Sequence, residues 1–405
     1  MTRRLASLLL LLPVLAACGG DDDAPATLDA SADVDAGVPA EDAGGGSMYR
    51  DSGPIVVPDP GSCDTWGLDD EGEPITELVE GEWTFVSFPE AHCMDGSTTG
   101  IGINLSQTGS RRLVIYLEGG GACFDDITCS GVAGINGFDG DDLTSSAGQL
   151  SNYGLFRRAD EDNPMRDWTQ VYVPYCTGDA HAGTNPDGFE GRDQVGHSNI
   201  AAYLRRLVPT FSEVDKVLLT GASAGGLGAF SNFDQVQQAF GCTPVYGLDD
   251  SGPVLGDDYL RPCLQQKARD LWHIAVPEDC PQCALEDGGG LVAMWPYLAM
   301  KYPDRRIGLL STVADGVIRS FYGYGFSATC ESAAQMPASH FQAGLLDLRD
   351  TILAPHENTA TFYVSGGAHT FLIGDLGRPM VGGVTLGEWI RRLIEDDPSW
   401  DDVGP

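Results

Sequence analysis

The chain alternates between short apolar runs and stretches in which apolar residues recur at helical spacing. Short apolar runs are typical of strands buried on both faces, and helical spacing is typical of helices packed on a sheet. We predict strands at residues 111–117, 168–175, 216–219, 245–248, 306–311 and 361–365. We predict helices at residues 197–208, 227–240 and 384–394. This order indicates an α/β fold with a mostly parallel central sheet and helices on both faces.

The first residues have the features of an export signal. Arg3 and Arg4 precede an apolar run, Leu5–Val14, that is too short to span a bilayer stably. The signal closes with Leu-Ala-Ala-Cys, which resembles the lipobox of bacterial lipoproteins, where cleavage precedes a cysteine that is then acylated. We therefore predict a signal peptide at residues 1–17, lipidation of Cys18 and attachment to the bacterial cell envelope, at the outer membrane or the cell surface. An ordinary signal peptide followed by a chance cysteine is the alternative.

Two further regions follow the signal. Residues 18–60 are rich in Ala, Asp, Gly and Pro and contain almost no aromatic residues. Such a segment buries too little apolar surface to offset the entropy of ordering it, so we predict a flexible acidic tether. Residues 61–405 contain no second shift in composition and no internal repeat, so we predict a single domain there.

The chain is strongly acidic, with 59 Asp and Glu against 23 Lys and Arg and a formal net charge of −36. A negative field of this size repels nucleic acids and anionic membrane surfaces. We therefore predict no nucleic-acid partner, and membrane contact only through the N-terminal lipid. The same charge raises the cost of encounter with a polyanionic polysaccharide. We expect a monomer.

Eleven cysteines are present, and ten remain once Cys18 is assigned to the lipid. An even number in an exported protein predicts disulfide bonds. For the Cys-Pro-Gln-Cys run of Cys280 and Cys283, half of a zinc site or a redox pair is the alternative. No second Cys-x-x-Cys and no histidine pair at ligand spacing accompanies this run. We therefore expect no metal and no cofactor.

The most informative stretch is residues 217–226, where a strand-like run ends in Gly-Ala-Ser-Ala-Gly with Ser223 at its centre. A strand, a sharp turn of small residues and a following helix are what a nucleophile elbow requires. The turn lifts the serine hydroxyl clear of the sheet edge, beside the positive end of the helix. We predict that Ser223 is a nucleophile; a packing turn of small residues is the alternative.

A nucleophilic serine needs a base, and the base needs an acid that orients it. In α/β-hydrolases the base comes last along the chain. This order favours His369, in a glycine-rich turn after a predicted strand, over His181, which precedes Ser223. The acid falls between serine and base: we predict Asp315, with Asp250 as the alternative. All these residues follow predicted strands, whose carboxyl ends form the sites of parallel sheets.

Attack on an ester carbonyl creates an oxyanion that backbone N–H groups must stabilise. Ala224, the residue after the nucleophile, is one predicted donor. Gly120 and Gly121, in a Gly-Gly-Gly run after the strand at 111–117, are the others, because such loops supply donors in esterases. Glycine allows the backbone to approach a substrate without a Cβ atom in the way.

Several of these segments resemble the pectin acetylesterase/Notum family. The resemblance extends from about Cys93 to Leu372. It rests on a Leu-Glu-Gly-Gly box, a Pro-Tyr-Cys segment, a serine box and two shorter matches, at 117–123, 173–179, 220–226, 250–252 and 275–280.

The resemblance implies an α/β-hydrolase-like serine esterase without a metal cofactor. It implies Ser223 as nucleophile, Asp315 as acid and His369 as base. Members remove O-acyl groups, either acetyl from plant pectin or a fatty acyl group from a signalling protein. The resemblance also implies two disulfides, Cys93–Cys176 and Cys123–Cys129.

The function predicted from the sequence is a tethered serine carboxylesterase. We expect it to remove O-acyl groups, foremost O-acetyl, from a polysaccharide or a small ester through an acyl-enzyme. A lipid or fatty-acyl deacylase of the Notum type is the first alternative. A catalytically inactive lipoprotein that binds a glycan or a partner is the second. A peptidase is chemically compatible, but no feature of the sequence favours it.

Overall fold

The structure is a computed structural model that describes residues 61–132, 137–327, 329–331 and 334–405. Eight strands form its main sheet: β1 (Trp83–His92), β2 (Thr98–Asn104), β3 (Arg112–Leu117), β4 (Thr169–Val173), β5 (Lys216–Ala222), β6 (Val245–Asp250), β7 (Ile307–Thr312) and β8 (Thr359–Val364). Their order across the sheet is β1-β2-β4-β3-β5-β6-β7-β8. A separate small ribbon pairs β9 (Met380–Val381) with β10 (Val384–Thr385).

The strand pairs from β4 through β8 are all parallel, whereas β1, β2 and β4 pair antiparallel at one edge. Parallel strands present their carboxyl ends along one edge of a sheet, and loops that follow them meet there. The loops after β3, β5, β6, β7 and β8 therefore share one edge, and they carry the predicted site residues.

Helices connect the strands: α1 (Asp126–Ser130), α2 (Gly140–Leu150), α3 (Gly196–Thr210), α4 (Ala224–Ser231), α5 (Phe233–Ala239), α6 (Pro262–Trp272), α7 (Met294–Lys301), α8 (Gly316–Tyr322), α9 (Ala338–Asp347) and α10 (Leu386–Ile394). A π-helical segment, Leu348–Leu353, continues α9.

Two apolar cores lie on opposite faces of the sheet. Along β3, Leu113 and Ile115 belong to one core, with residues of α3, while Val114 and Tyr116 belong to the other, with residues of α10. Successive side chains of a strand point to opposite faces, so this alternation means that both faces are covered. The predicted α/β class with a mostly parallel sheet is confirmed.

All three predicted helices differ in their bounds: the one predicted at 197–208 spans Gly196–Thr210, and the other two differ for structural reasons. The helix predicted at 227–240 begins earlier, at Ala224, and breaks at Asn232 into α4 and α5. The side-chain nitrogen of Asn232, Nδ2, donates to the backbone carbonyl of His181 at 2.8 Å. This bond connects the break between the two helices to a neighbouring loop. The helix predicted from residue 384 begins at Leu386, because Thr385 is its N-cap and accepts a hydrogen bond from the Glu388 amide at 3.2 Å.

The antiparallel hairpin of β1 and β2 is absent from the strands predicted above. Ile101 and Ile103 alternate with glycines in β2, and glycine is depleted in strands, which masked the alternating pattern. One of these glycines is required by close packing, because a Cβ atom on Gly100 would lie 2.1 Å from the carbonyl oxygen of Val86.

The ten cysteines outside the predicted lipid site form five disulfides: Cys63–Cys242, Cys93–Cys176, Cys123–Cys129, Cys263–Cys330 and Cys280–Cys283. Both pairs implied by the family resemblance are present. Cys280 and Cys283 bond to each other, so neither offers a free thiolate to a metal. Within the described ranges, the one close group of metal-ligand side chains contains Cys63 and Cys242, which are also bonded to each other.

The predicted signal peptide at 1–17, the tether at 18–60 and the lipidation of Cys18 lie outside the described residues and stay predictions. Within the residues that are described, none of the helices has the length and apolar character needed to span a bilayer.

Candidate active site

Ser223 occupies a tight turn between β5 and α4. Its backbone has φ 60° and ψ −122°, a positive φ that a non-glycine residue rarely adopts. The turn leaves no room beside it, because a Cβ atom on Gly221 would lie 2.3 Å from the Gly225 carbonyl oxygen, and one on Gly225 would lie 1.9 Å from that of Leu117. The small residues around Ser223 are therefore dictated by backbone packing.

The glycine loop, residues 118–121 after β3, lies directly against this turn. A Cβ atom on Gly119 would lie 2.2 Å from the Ala222 carbonyl oxygen and 2.9 Å from the Cβ atom of Ser223. The amides of Gly120 and Gly121 donate to no acceptor among the described residues. Ala224 is the first residue of α4, so its amide has no partner within its own helix. The predicted oxyanion donors thus lie on the two segments next to Ser223, the glycine loop and the start of α4.

Asp315 and His369 form a hydrogen-bonded pair at the same edge. The Nδ1 atom of His369 lies 2.7 Å from Oδ2 of Asp315, whose side chain is fully buried. The other carboxylate oxygen accepts the amides of Val317 and Ile318 at 2.9 and 3.0 Å, as the N-cap of α8. Because one oxygen is fixed by the helix end, the other is aimed at the imidazole. A proton on Nδ1 then leaves Nε2 as an acceptor.

Asp250, the alternative acid, bonds to backbone amides and a hydroxyl and not to the imidazole. Its Oδ2 accepts the amides of Phe371 and Leu372 at 2.7 and 2.8 Å. Its Oδ1 accepts the Ser251 hydroxyl at 2.9 Å. Burial raises the pKa of this carboxyl, and the two amides and the hydroxyl oppose that rise. Asp250 thus holds the loop that carries His369, while Asp315 contacts the imidazole.

Asp250 also joins this loop to the nucleophile turn. Its carbonyl oxygen accepts the Ser223 amide at 2.7 Å, while its carboxylate holds the two amides just beyond His369. One buried residue therefore contacts the backbone of both segments. Asp250 therefore holds the Ser223 turn and the loop of His369 against the same end of β6.

His181, the alternative base, is buried and contacts the backbone. Its Nε2 lies 2.8 Å from the carbonyl oxygen of Glu118, and its ring packs on Tyr175 with 4.8 Å between centroids. Burial lowers the pKa of His181 to about 4. A neutral histidine committed to a carbonyl is a poor proton acceptor for a serine, so the geometry favours His369 as the base.

A largely apolar pocket opens beside Ser223. It encloses about 940 Å³ of empty space, including solvent at its mouth. Gly121, Ser223 and Ala224 line it together with apolar side chains, among them Leu227, Val254, Leu264, Trp272, Met294 and Phe321. The serine and two of the predicted oxyanion donors therefore face a cavity with an apolar wall.

Fold and site together define an α/β-hydrolase-like protein with a serine, a histidine and an aspartate at one sheet edge. The family model of Pectinacetylesterase matches residues 77–279, about half of the chain. The chain belongs to the pectinacetylesterase family. The matched segment includes Ser223 and ends before Asp315 and His369, so the pairing of these two rests on the geometry described above.

Curated relatives are palmitoleoyl-protein carboxylesterases. Notum2 of Xenopus laevis is 30% identical over 214 residues, which are 47% of this chain and 43% of that protein. Human NOTUM is 28% identical over 214 residues, which are 46% of this chain and 42% of that protein. The chain thus matches less than half the length of these relatives.

A solved structure shares the fold. The Wnt deacylase Notum from Drosophila has a TM-score of 0.56 and 19% sequence identity, covering 79% of this chain and 95% of that chain. At this level of identity, the likeness concerns the fold alone.

Proposed function

We propose that this chain is a serine carboxylesterase that removes O-acyl groups with Ser223 as nucleophile, His369 as base and Asp315 as the orienting acid. The observation that carries the proposal is the 2.7 Å contact between His369 and a fully buried Asp315, on a loop that Asp250 ties to the Ser223 turn. Membership of the pectinacetylesterase family supports the same reaction class.

The reaction follows from the arrangement. Nε2 of His369 takes the hydroxyl proton as Oγ of Ser223 attacks the ester carbonyl, and the carbonyl oxygen becomes an oxyanion. The imidazolium then gives that proton to the leaving alcohol, and an acyl-serine remains. Water, deprotonated by the same nitrogen, attacks the acyl-serine, and the bond between the acyl carbon and Oγ breaks. The imidazolium returns its proton to Oγ, and the carboxylic acid leaves. Asp315 stabilises the imidazolium in both halves of the reaction.

The amides of Gly120, Gly121 and Ala224 are the proposed donors to the oxyanion. Each aligned donor is worth about 3 kcal/mol of transition-state stabilisation where one has been measured in a protease. The donors are backbone groups on packed segments, so little reorganisation is needed when the charge appears.

The substrate we propose first is an O-acetyl ester on a polysaccharide, or a small ester. The net charge of −36 favours a weakly charged substrate over a polyanionic polysaccharide. A longer acyl chain is the second candidate, and the apolar side chains that line the pocket beside Ser223 favour it, because they would bury a hydrocarbon chain. The names of the curated relatives, which are palmitoleoyl-protein carboxylesterases, agree with this candidate.

A panel of p-nitrophenyl esters from acetate to palmitate tests both candidates, with Ser223→Ala as the control. Hydrolysis by the wild type and its loss in Ser223→Ala is the expected result. A preference for acetate supports the deacetylase, and a preference for long chains supports the fatty-acyl deacylase. Equal, slow hydrolysis by both proteins would contradict the proposed function and favour a binding protein.

The proposed location is the bacterial cell envelope, through a lipid on Cys18. Five disulfides are typical of proteins exported to an oxidising compartment. Fractionation of cells that produce Cys18→Ser is the test: release from the membrane fraction is expected, and retention there would contradict the lipid anchor.

A further inference from the structure

Two buried side chains hold the two ends of the glycine loop. The Tyr175 hydroxyl donates to the carbonyl oxygen of Gly121 at 2.9 Å. The Nε2 atom of His181 lies 2.8 Å from the carbonyl oxygen of Glu118, and a neutral ring with its proton on Nε2 donates that bond. The loop that carries the proposed oxyanion donors is therefore bonded at its first and its last carbonyl.

The two side chains form one unit. Their rings lie 4.8 Å apart between centroids, and both residues are buried, at 2% and 3% exposure. The Tyr175 oxygen accepts the amide of Ala180 at 2.8 Å, which leaves its single proton for Gly121. The Tyr175 amide in turn donates to the Glu118 carboxylate at 3.0 Å. Neither side chain has a role in the reaction proposed above.

Peptide planarity explains why these bonds matter. A carbonyl shares its plane with the amide of the next residue, so fixing it also fixes that amide. The bond to Glu118 fixes the plane before the loop glycines, and the bond to Gly121 fixes the plane after them. Only two planes lie between, and they carry the amides of Gly120 and Gly121. Glycine backbones are permissive, so losing either bond leaves these two amides less narrowly oriented.

We propose that Tyr175 and His181 are positioning residues that orient the amides of Gly120 and Gly121 toward the oxyanion. The proposal rests on the proposed esterase function. It predicts that losing either bond weakens binding of the transition state and leaves binding of the ground-state ester nearly unchanged.

The first test compares Tyr175→Phe with a matched control, Tyr363→Phe. The Tyr363 hydroxyl is also buried and also donates to a carbonyl, that of Leu345 at 3.1 Å, but it lies in β8 and outside the glycine loop. Each change removes one buried hydroxyl and its bond to a carbonyl, and Tyr175→Phe also removes the acceptor of the Ala180 amide. A general loss of stability therefore affects both variants.

Kinetics on the p-nitrophenyl ester that the wild type cleaves best provide the readout. In Tyr175→Phe we expect kcat to fall about tenfold with KM within about twofold of the wild type, and in Tyr363→Phe we expect neither to change. A trifluoromethyl ketone with the same acyl group forms an oxyanion adduct with the serine, and its Ki should rise in parallel with the loss in kcat/KM.

The second test uses His181. His181→Gln keeps an N–H donor near the position of Nε2, whereas His181→Leu removes it, so we expect the glutamine variant to retain more kcat. Thermal melts identify any variant that fails to fold. Equal kcat in Tyr175→Phe and Tyr363→Phe, or in His181→Gln and His181→Leu, overturns the positioning role.

The outcomes separate the two proposals. If the variants react with a fluorophosphonate at Ser223 and turn over as fast as the wild type, only the positioning role fails. If the wild type neither cleaves esters nor reacts with the fluorophosphonate, the proposed function fails, and the positioning role fails with it.

Discussion

Two histidines, His369 and His181, lie near the carboxyl edge of the sheet, and their side chains contact different kinds of group. His369 contacts a fully buried carboxylate, Asp315, and its own side chain is 10% exposed. His181 is buried against an aromatic ring and contacts the backbone carbonyl of Glu118. A carboxylate stabilises an imidazolium, whereas burial beside a carbonyl keeps a histidine neutral. The partner of each ring therefore distinguishes a proton acceptor from a structural donor.

The two aspartates that were candidates for the acid, Asp315 and Asp250, also differ in their hydrogen-bond partners. Asp315 uses one oxygen for the start of α8 and turns the other to the imidazole. Asp250 uses its carboxylate for the Ser251 hydroxyl and two backbone amides. Both follow strands and both are buried, so sequence order alone left them as alternatives.

The largest effect should come from His369→Ala. Removal of the base leaves only binding and the oxyanion donors, so we expect kcat to fall about 10⁴-fold or more on a p-nitrophenyl ester. The matched change, His181→Ala, should lower kcat far less, because this ring takes no proton. A larger loss from His181→Ala in a folded protein would reverse the comparison of the two histidines.

Asp315→Asn should have the next largest effect. The amide side chain is similar in size but does not stabilise the imidazolium and favours the wrong tautomer, so kcat should fall about 10³–10⁴-fold. Steady-state kinetics measure the loss, and circular dichroism checks that the fold is intact. A loss below about tenfold would show that Asp315 is not the acid.

Asp250→Asn should cost less than Asp315→Asn. An asparagine oxygen can still accept the amides of Phe371 and Leu372, so we expect at most about a tenfold loss in kcat and a small decrease in Tm. The same assay and a thermal melt measure both. If this variant proves the more damaging of the two, the assignment of the acid is wrong.

The smallest expected effect is the contribution of His181 to the pH dependence of the free energy of unfolding. Burial lowers the pKa of His181 to about 4 from an ordinary 6.5, so between these values the unfolded chain binds a proton that the folded chain does not. The stability that depends on the neutral ring is present above pH 6.5 and is lost as the pH falls toward 4.

His181→Gln isolates this contribution, because other buried groups titrate in both proteins, among them Asp179, whose carboxylate accepts the backbone amide of His181. From pH 7 to pH 4.5, the free energy of unfolding of the wild type should fall by about 2–3 kcal/mol more than that of the variant. Urea denaturation at the two pH values measures it. Parallel pH profiles would mean that His181 is not held neutral.

The parallel part of the sheet and the turn around Ser223 could be predicted from the sequence, because both depend on local patterns. Apolar runs mark the buried strands, and glycines mark the turn that leaves no room for a Cβ atom. The β1–β2 hairpin was missed because glycines interrupt its apolar pattern. Its position beside β4 is set by tertiary pairing, which no local pattern encodes.

Less of the candidate site could be predicted from the sequence. The choice between Asp315 and Asp250 depends on which way two buried side chains turn, and both residues follow strands. The link of Tyr175 and His181 to the glycine loop joins residues more than 50 positions apart. The only signal in the sequence was the presence of a tyrosine and a histidine in the same segment after β4.

The proposed function requires a reactive Ser223, and active-site labelling measures that reactivity. The protein is treated with a fluorophosphonate, digested, and the modified residue is identified by mass spectrometry. We expect one modified residue, Ser223, with labelling strongly slowed in His369→Ala and absent in Ser223→Ala. Labelling at another residue, or equal labelling in the wild type and His369→Ala, would contradict the proposed function.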